Sequence, residues 1–231
     1  RHTRFKCDWS SDVCSSDLRP LPVRFICHPE GGFRMRKFTL FAALYAAPSL
    51  AAAQALPSTL SCDGVFARNS SHARLVQVFG APNVRHMKVT DPYDEVMVSV
   101  VYPRVETKKL QFHWADEKAR KGLSSARVYG ARSPLKTASG VGIGVPLAKI
   151  VELNGKPISI QGFGTEVQGS VSFDGGKLEK LPGGCRLEIF MVPGPGAPSP
   201  PDEIYGESSF SSDNSHMRAQ KLIVGWMSVN W

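Results

Sequence analysis

Two stretches of the chain share one pattern of apolar and polar positions. Leu75 to Pro82 reads LVQVFGAP, and Ile150 to Pro157 reads IVELNGKP. Each is aliphatic, Val, polar, aliphatic, any residue, Gly, any residue, Pro. Aliphatic positions spaced this way predict the last turns of a short amphipathic helix. Ser70 or Ser71 can cap the first helix, and Pro146 suits the first turn of the second. Gly80 and Gly155 then end each helix in a left-handed conformation, and Pro82 and Pro157 prevent its continuation into the next strand.

Elsewhere the period is two, or the apolar runs are short. Glu95 to Tyr102, Lys109 to Trp114 and Ser124 to Tyr129 read as strands after the first helix. Ile158 to Phe163, Val167 to Phe173, Cys185 to Val192 and Lys221 to Asn230 read as strands after the second, with Asp174-Gly175-Gly176 as a hairpin turn. Ile223, Gly225, Met227, Val229 and Trp231 alternate as the closing strand of a soluble sheet. Pro193 to Pro201 and the polar run to Gln220 form one long loop, which is functional or disordered in most proteins. The expected fold is α+β. Two tandem units, 56–135 and 136–231, would each be a helix on an antiparallel meander, sharing a sheet-rich core, with the long loop at 193–220.

The first 55 residues have no place in that pattern. DWSSDVCSSDL, Asp8 to Leu18, resembles a translated sequencing adapter, and Arg19 to Arg34 reads as upstream sequence carried in frame. Residues 1–34 are therefore expected to be a non-native leader. From Met35 the chain reads as a signal peptide, 35–55: Arg36 and Lys37, an apolar stretch Phe38 to Ala52, and an A-x-A site at Ala53 and Ala55. That predicts an exported, periplasmic or secreted protein beginning at Leu56, with no membrane span after cleavage. A lipoprotein would need Cys directly after the cut, and Cys62 lies beyond it.

Composition narrows the picture further. Of 231 residues, 42% are hydrophobic and 21% charged, ordinary for a soluble fold. The net charge of +8 is scattered, without the basic stripe and stacking aromatics that nucleic-acid binding requires. Five cysteines are present, and Cys7, Cys14 and Cys27 fall in the leader. Cys62 and Cys185 remain, and in an exported chain they most simply form one disulfide. Free thiols, a metal pair or a redox motif are the other readings; there is no C-x-x-C and no nearby histidine.

The familiar catalytic and ligand motifs are weak. Gly140-Val141-Gly142-Ile143-Gly144 is G-x-G-x-G without a parallel βαβ setting. His72, His86, His113 and His216 stand apart at no metal-ligand spacing. No G-x-S-x-G occurs. Asp63, Asp116 and Asp174 flank turns as caps, and the Asp213-Asn214 loop lacks the spaced acids of a calcium loop. No catalytic residue, cofactor or metal is therefore expected.

With LVQVFGAP, IVELNGKP, the Gly142-Ile143-Gly144 lead-in and the strands after them, the chain resembles a superfamily. It includes the SmpA/OmlA (BamE-type) outer-membrane assembly lipoproteins and the tandem-repeat β-lactamase inhibitory protein. It is also similar to uncharacterised exported bacterial proteins with a G-x-G, helix, Asn-Gly-Lys-Pro, Gly-Phe-Gly progression, here ending at Gly162-Phe163-Gly164. The resemblance implies helix-plus-sheet units and a non-enzymatic role in binding another envelope or secreted protein. An enzyme or small-ligand protein with an unrecognised site is the alternative.

Overall fold

A computed structural model describes residues 56–91, 94–128, 130 and 132–231. The segments expected to be a leader (1–34) and a signal peptide (35–55), with the expected cleavage residues Ala53 and Ala55, lie outside the described residues.

Helix α1 spans His72–Phe79. The Ser71 hydroxyl accepts the Arg74 N–H at 3.2 Å and so caps its first turn. Leu75 and Phe79, four apart, lie on one face and are fully buried. Helix α2 spans Leu147–Asn154, with Pro146 in the N-cap position at extended dihedrals and Leu147, Ile150 and Asn154 inward. Both end on a glycine of positive φ, as the sequence predicts, but the two differ. Gly155 is left-handed, at φ 79° and ψ 5°. Gly80 has φ 82° and ψ 142°, so the left-handed expectation is corrected there. The chain passes instead into a single 3-10 turn, Ala81–Asn83, that contains Pro82.

In chain order the strands are β1 Thr59–Leu60, β2 Val84–Asp91, β3 Asp94–Val101, β4 Leu110–Asp116, β5 Lys121–Val128, β6 Lys136–Thr137, β7 Ser159–Gln161, β8 Val171–Ser172, β9 Arg186–Val192, β10 Ser209–Ser211 and β11 Ile223–Asn230. A third helix, α3, covers Ser215–Ala219 in the former loop region. The main sheet has order β2-β3-β4-β5-β11-β9, antiparallel throughout. A small sheet has order β10-β7-β8, and β1 pairs with β6 in parallel.

The protein is thus sheet-rich α+β, but the second meander is corrected. After α1, four consecutive strands pair in chain order. After α2, the strands divide: β7 and β8 join β10, while β9 and β11 add to the first meander. The strand expected at Val167 to Phe173 shrinks to β8, because Gly169 is pressed so close to the Met191 carbonyl that a Cβ would stand 2.0 Å away. The long loop is ordered, contributing β10, α3 and a 3-10 turn at Asp202–Ile204.

One apolar core runs across both halves. Phe66 stacks on Phe112 at 5.8 Å, and Phe112 on Trp114 at 6.2 Å. Leu187, Ile189, Val224 and Met227 continue the cluster from β9 and β11. Cys62 and Cys185 are bonded, with S–S 1.97 Å and Cα–Cα 5.5 Å across a separation of 123 residues. Closing so long a loop removes unfolded-state freedom worth about 5 kcal/mol in the chain-entropy model. The link fixes the segment before α1 to the entry of β9. Trp231 reinforces it, donating from Nε1 to the Phe66 carbonyl at 2.9 Å.

Candidate functional site

A cleft of about 850 Å³ opens where β9 and β11 meet the segments 163–168 and 193–205. Its floor begins with a cross-strand pair. Phe190 on β9 faces Trp226 on β11, ring centroids 3.9 Å apart and 17° from parallel. A bulge between Val224 and Trp226 turns β11 here. Gly225 occupies the bulge, and a Cβ on it would lie 2.6 Å from Val192. Arg127 on β5 completes the ladder, its guanidinium 5.4 Å from the Trp226 ring centre. Cation–aromatic contact and stacking together immobilise the indole.

Beside this ladder runs a polar row. Arg127 pairs across the sheet with Ser228, and Ser228 with Glu188. Glu188 Oε2 accepts from Ser228 Oγ at 2.9 Å and from Asn230 Nδ2 at 3.2 Å. The carboxylate is therefore held in place.

The opposite wall is built by Gly162-Phe163-Gly164. Phe163 N–H donates to the Ile204 carbonyl and its own carbonyl accepts from Gly206 N–H, both at 2.9 Å. This parallel bridge seats Tyr205 directly over Gly164, where a Cβ would meet the phenol ring at 2.7 Å. Both glycines are required by close approach, since Gly162 in turn lies against the carbonyls of Ile204 and Gly206. Val167, Val192 and Tyr205 line the cleft and are 51%, 38% and 47% exposed, three of the five exposed large hydrophobics among the described residues. Such clustering of apolar surface marks interaction sites.

A second polar cluster combines two half-buried histidines, His72 and His86, with the buried Ser99 and Trp114. His72 Nδ1 lies 2.8 Å from Ser99 Oγ, and Trp114 Nε1 donates to the same oxygen at 2.9 Å. The His86 ring meets His72 edge-on at 5.9 Å. Burial, then the Arg120 charge and His86, push the His72 pKa below its usual value. Ser99 is fully buried, so its hydroxyl is not presented at the surface.

The other residues singled out in sequence take structural places. Cys62 and Cys185 are joined, while Gly80, Pro82, Gly155 and Pro157 sit at the two helix ends. Gly144 N–H donates to the Val224 carbonyl, so the G-x-G-x-G run anchors α2 to β11. Asp116 Oδ1 accepts from Ala119 N–H at 2.9 Å as a turn cap. Asp174 accepts from Ser159 Oγ and Ser172 Oγ at 2.8 and 2.6 Å. The Ser172 bond, then Ser159 and the Lys156 charge, hold its carboxyl below the usual range against slight desolvation. Asp63 makes no side-chain cap, which corrects that assignment; it accepts from Ser61 instead. Asp213 pairs with Arg218. His216 lies in the first turn of α3, and His113 on β4.

Among the described residues no group of three or more His, Cys, Asp or Glu could hold a metal, and no helix is long and apolar enough to cross a membrane. Comparison with known proteins gives no match to any family model, curated protein or solved structure.

Proposed function

We propose that this chain is a non-enzymatic, exported binding module, periplasmic or secreted, whose cleft takes a segment of another envelope or secreted protein. The observation that carries the reading is the cleft itself: a fixed aromatic floor rimmed by exposed Val167, Val192 and Tyr205. A pre-ordered apolar surface lowers the entropy lost on association, so it suits capture of a partner. The disulfide fits an oxidising compartment. The resemblance to envelope-assembly and inhibitor proteins rests on the two helix–Gly-x-Pro corners and supports the role by analogy alone.

The test is affinity capture from envelope extract with the purified protein. Val167→Glu and Val192→Glu place charge at the rim without touching the core. Met87→Glu, on β2 and 41% exposed, is the control. The expected result is a protein retained by the wild type and the control and lost from both rim variants. Equal retention by all four, or no protein retained by the wild type beyond bare matrix, overturns the reading. A small molecule carried by the wild type and displaced in the rim variants would instead favour the ligand-binding alternative.

A further inference from the structure

The half-buried histidine cluster joins the first residue of α1 to three strands, and its hydrogen-bond donors select one protonation state. The Trp114 indole can only donate. At 2.9 Å it gives its proton to Ser99 Oγ. The Ser99 hydroxyl proton must then go elsewhere, and the atom 2.8 Å away is His72 Nδ1. His72 can accept it only if Nδ1 carries no hydrogen, as in the neutral imidazole protonated on Nε2. When both ring nitrogens are protonated, two donors converge on one hydroxyl oxygen. The Ser99 proton then loses its acceptor in a fully buried position, a state that costs far more than the same loss at the surface.

Among the described residues, the charges that act on the His72 ring are positive. On β2 the neighbour of His72 is His86, at 5.9 Å ring to ring, whose own Nδ1 is buried without a hydrogen-bond partner. In the β4–β5 turn it is Arg120, whose carbonyl receives the His72 N–H at 3.0 Å and whose charge repels an imidazolium. On β3 and β4 they are Ser99 and Trp114, both uncharged. The Lys88–Glu95 ion pair lies further along the β2–β3 hairpin, pairing with itself at 2.8 Å. His72 is also the first residue of α1, where the helix dipole disfavours a cation.

We propose that His72 is a proton-operated latch: neutral, it locks the start of α1 onto β3 and β4, and protonated, it frees that turn while the rest of the fold holds. The hinge is local. Ser71 and His72 mark where the chain leaves the edge of β5 and enters the helix, and Leu75 and Phe79 are the side chains that a freed α1 would bring toward solvent.

The test uses the intact protein between pH 7.5 and 4.5. NMR follows the His72 ring protons, and amide hydrogen exchange compares residues 75–79 of α1 with 150–154 of α2. Exchange is expressed as protection factors, so the intrinsic pH dependence cancels. The expected result is a His72 midpoint below about 6.5 and α1 protection that falls about tenfold for each unit by which that midpoint is depressed, while α2 keeps its protection. His72→Gln should abolish the pH dependence of the α1-to-α2 ratio. His86→Gln, which removes a neighbouring charge and leaves the Ser99 bond in place, should move the midpoint upward. An unshifted His72 midpoint, a ratio flat across the range, or the same slope in His72→Gln would each overturn the latch. Joint loss of protection in both helices would overturn it too, by showing global acid unfolding.

Discussion

The two helix ends share a sequence pattern and solve the same problem with different chemistry. At the end of α1, position 79 is Phe, wholly buried and edge-on to Tyr102 at 5.9 Å. The orphan carbonyl of Phe79 is met by the Asn83 side chain at 2.8 Å. At the end of α2 the matching position is Asn154, equally buried. Its Nδ2 donates to the carbonyls of Lys156 and Phe173 at 3.1 and 3.0 Å, and its Oδ1 accepts from Leu178 N–H at 3.3 Å. One corner is a hydrophobic plug. The other is a polar hub that ties the helix to the 173–178 turn. Repeated backbone geometry therefore does not imply repeated energetics, because each corner meets a different neighbour: α1 a wide sheet, α2 a tight turn.

Exchanging the two solutions should break the comparison most severely. Phe79→Asn leaves a cavity and places an unpartnered amide in it. Loss of about 4 kcal/mol or more is expected, measured by urea denaturation. Asn154→Ala removes three hydrogen bonds at once and leaves the buried Leu178 N–H without its acceptor, and about 2–4 kcal/mol should be lost in the same assay. If Asn154→Ala costs less than a surface substitution, the hub is not what holds that corner.

The glycines sharpen the contrast. Gly155 lies in the left-handed region that asparagine also tolerates. Gly80 combines φ 82° with ψ 142°, a conformation costing side-chain-bearing residues about 1–3 kcal/mol. Gly155→Asn should therefore cost under about 1 kcal/mol, and Gly80→Asn about 2. Equal costs would show that the two ends are one motif after all.

The smallest effect is a separation in pH. The native pKa of His72 is lowered, so the unfolded chain binds the extra proton first. Its contribution is complete above about pH 6.5 and is lost as the pH falls below that value. Asp174, beside the α2 corner, is also lowered, but from a carboxylate reference. Its contribution is complete above about pH 4 and is lost only below it, as the pH falls through the native value. Between those limits, acid should weaken the α1 region alone. Thermal melts at pH 7 and pH 5, on the wild type and on His72→Gln, would show the wild type losing more.

Much of this was legible in sequence where the cause is local. The α1 cap at Ser71, the stop at Gly155 and the strands β3, β4, β5, β9 and β11 follow from capping chemistry and period-two runs. The Cys62–Cys185 bond followed from counting. Strand β2 was missed because Arg85, His86 and Lys88 break its alternation, and such charges suit an edge strand that must not pair further. The allocation of β7 and β8 to a separate sheet was illegible, since it depends on which carbonyls Gly162 and Gly169 approach. So was the cleft. Arg127, Phe163, Phe190, Tyr205 and Trp226 come from five distant segments, and only Gly162-Phe163-Gly164 and the long loop hinted at it.

The position of β11 bears on how the molecule is assembled. It lies between β5 and β9 in the sheet, yet it follows both in the chain. Until Ile223 and the residues after it arrive, β5 and β9 each present a bare row of amides and carbonyls. Much of the sheet can form early as a four-stranded meander, but its closure is a long-range event and correspondingly slow. A nascent chain therefore passes through a stage with two open edges that await the same strand. In that interval a neighbouring copy could supply the missing strand, so a holding factor that keeps molecules apart would raise the yield of correctly closed sheet.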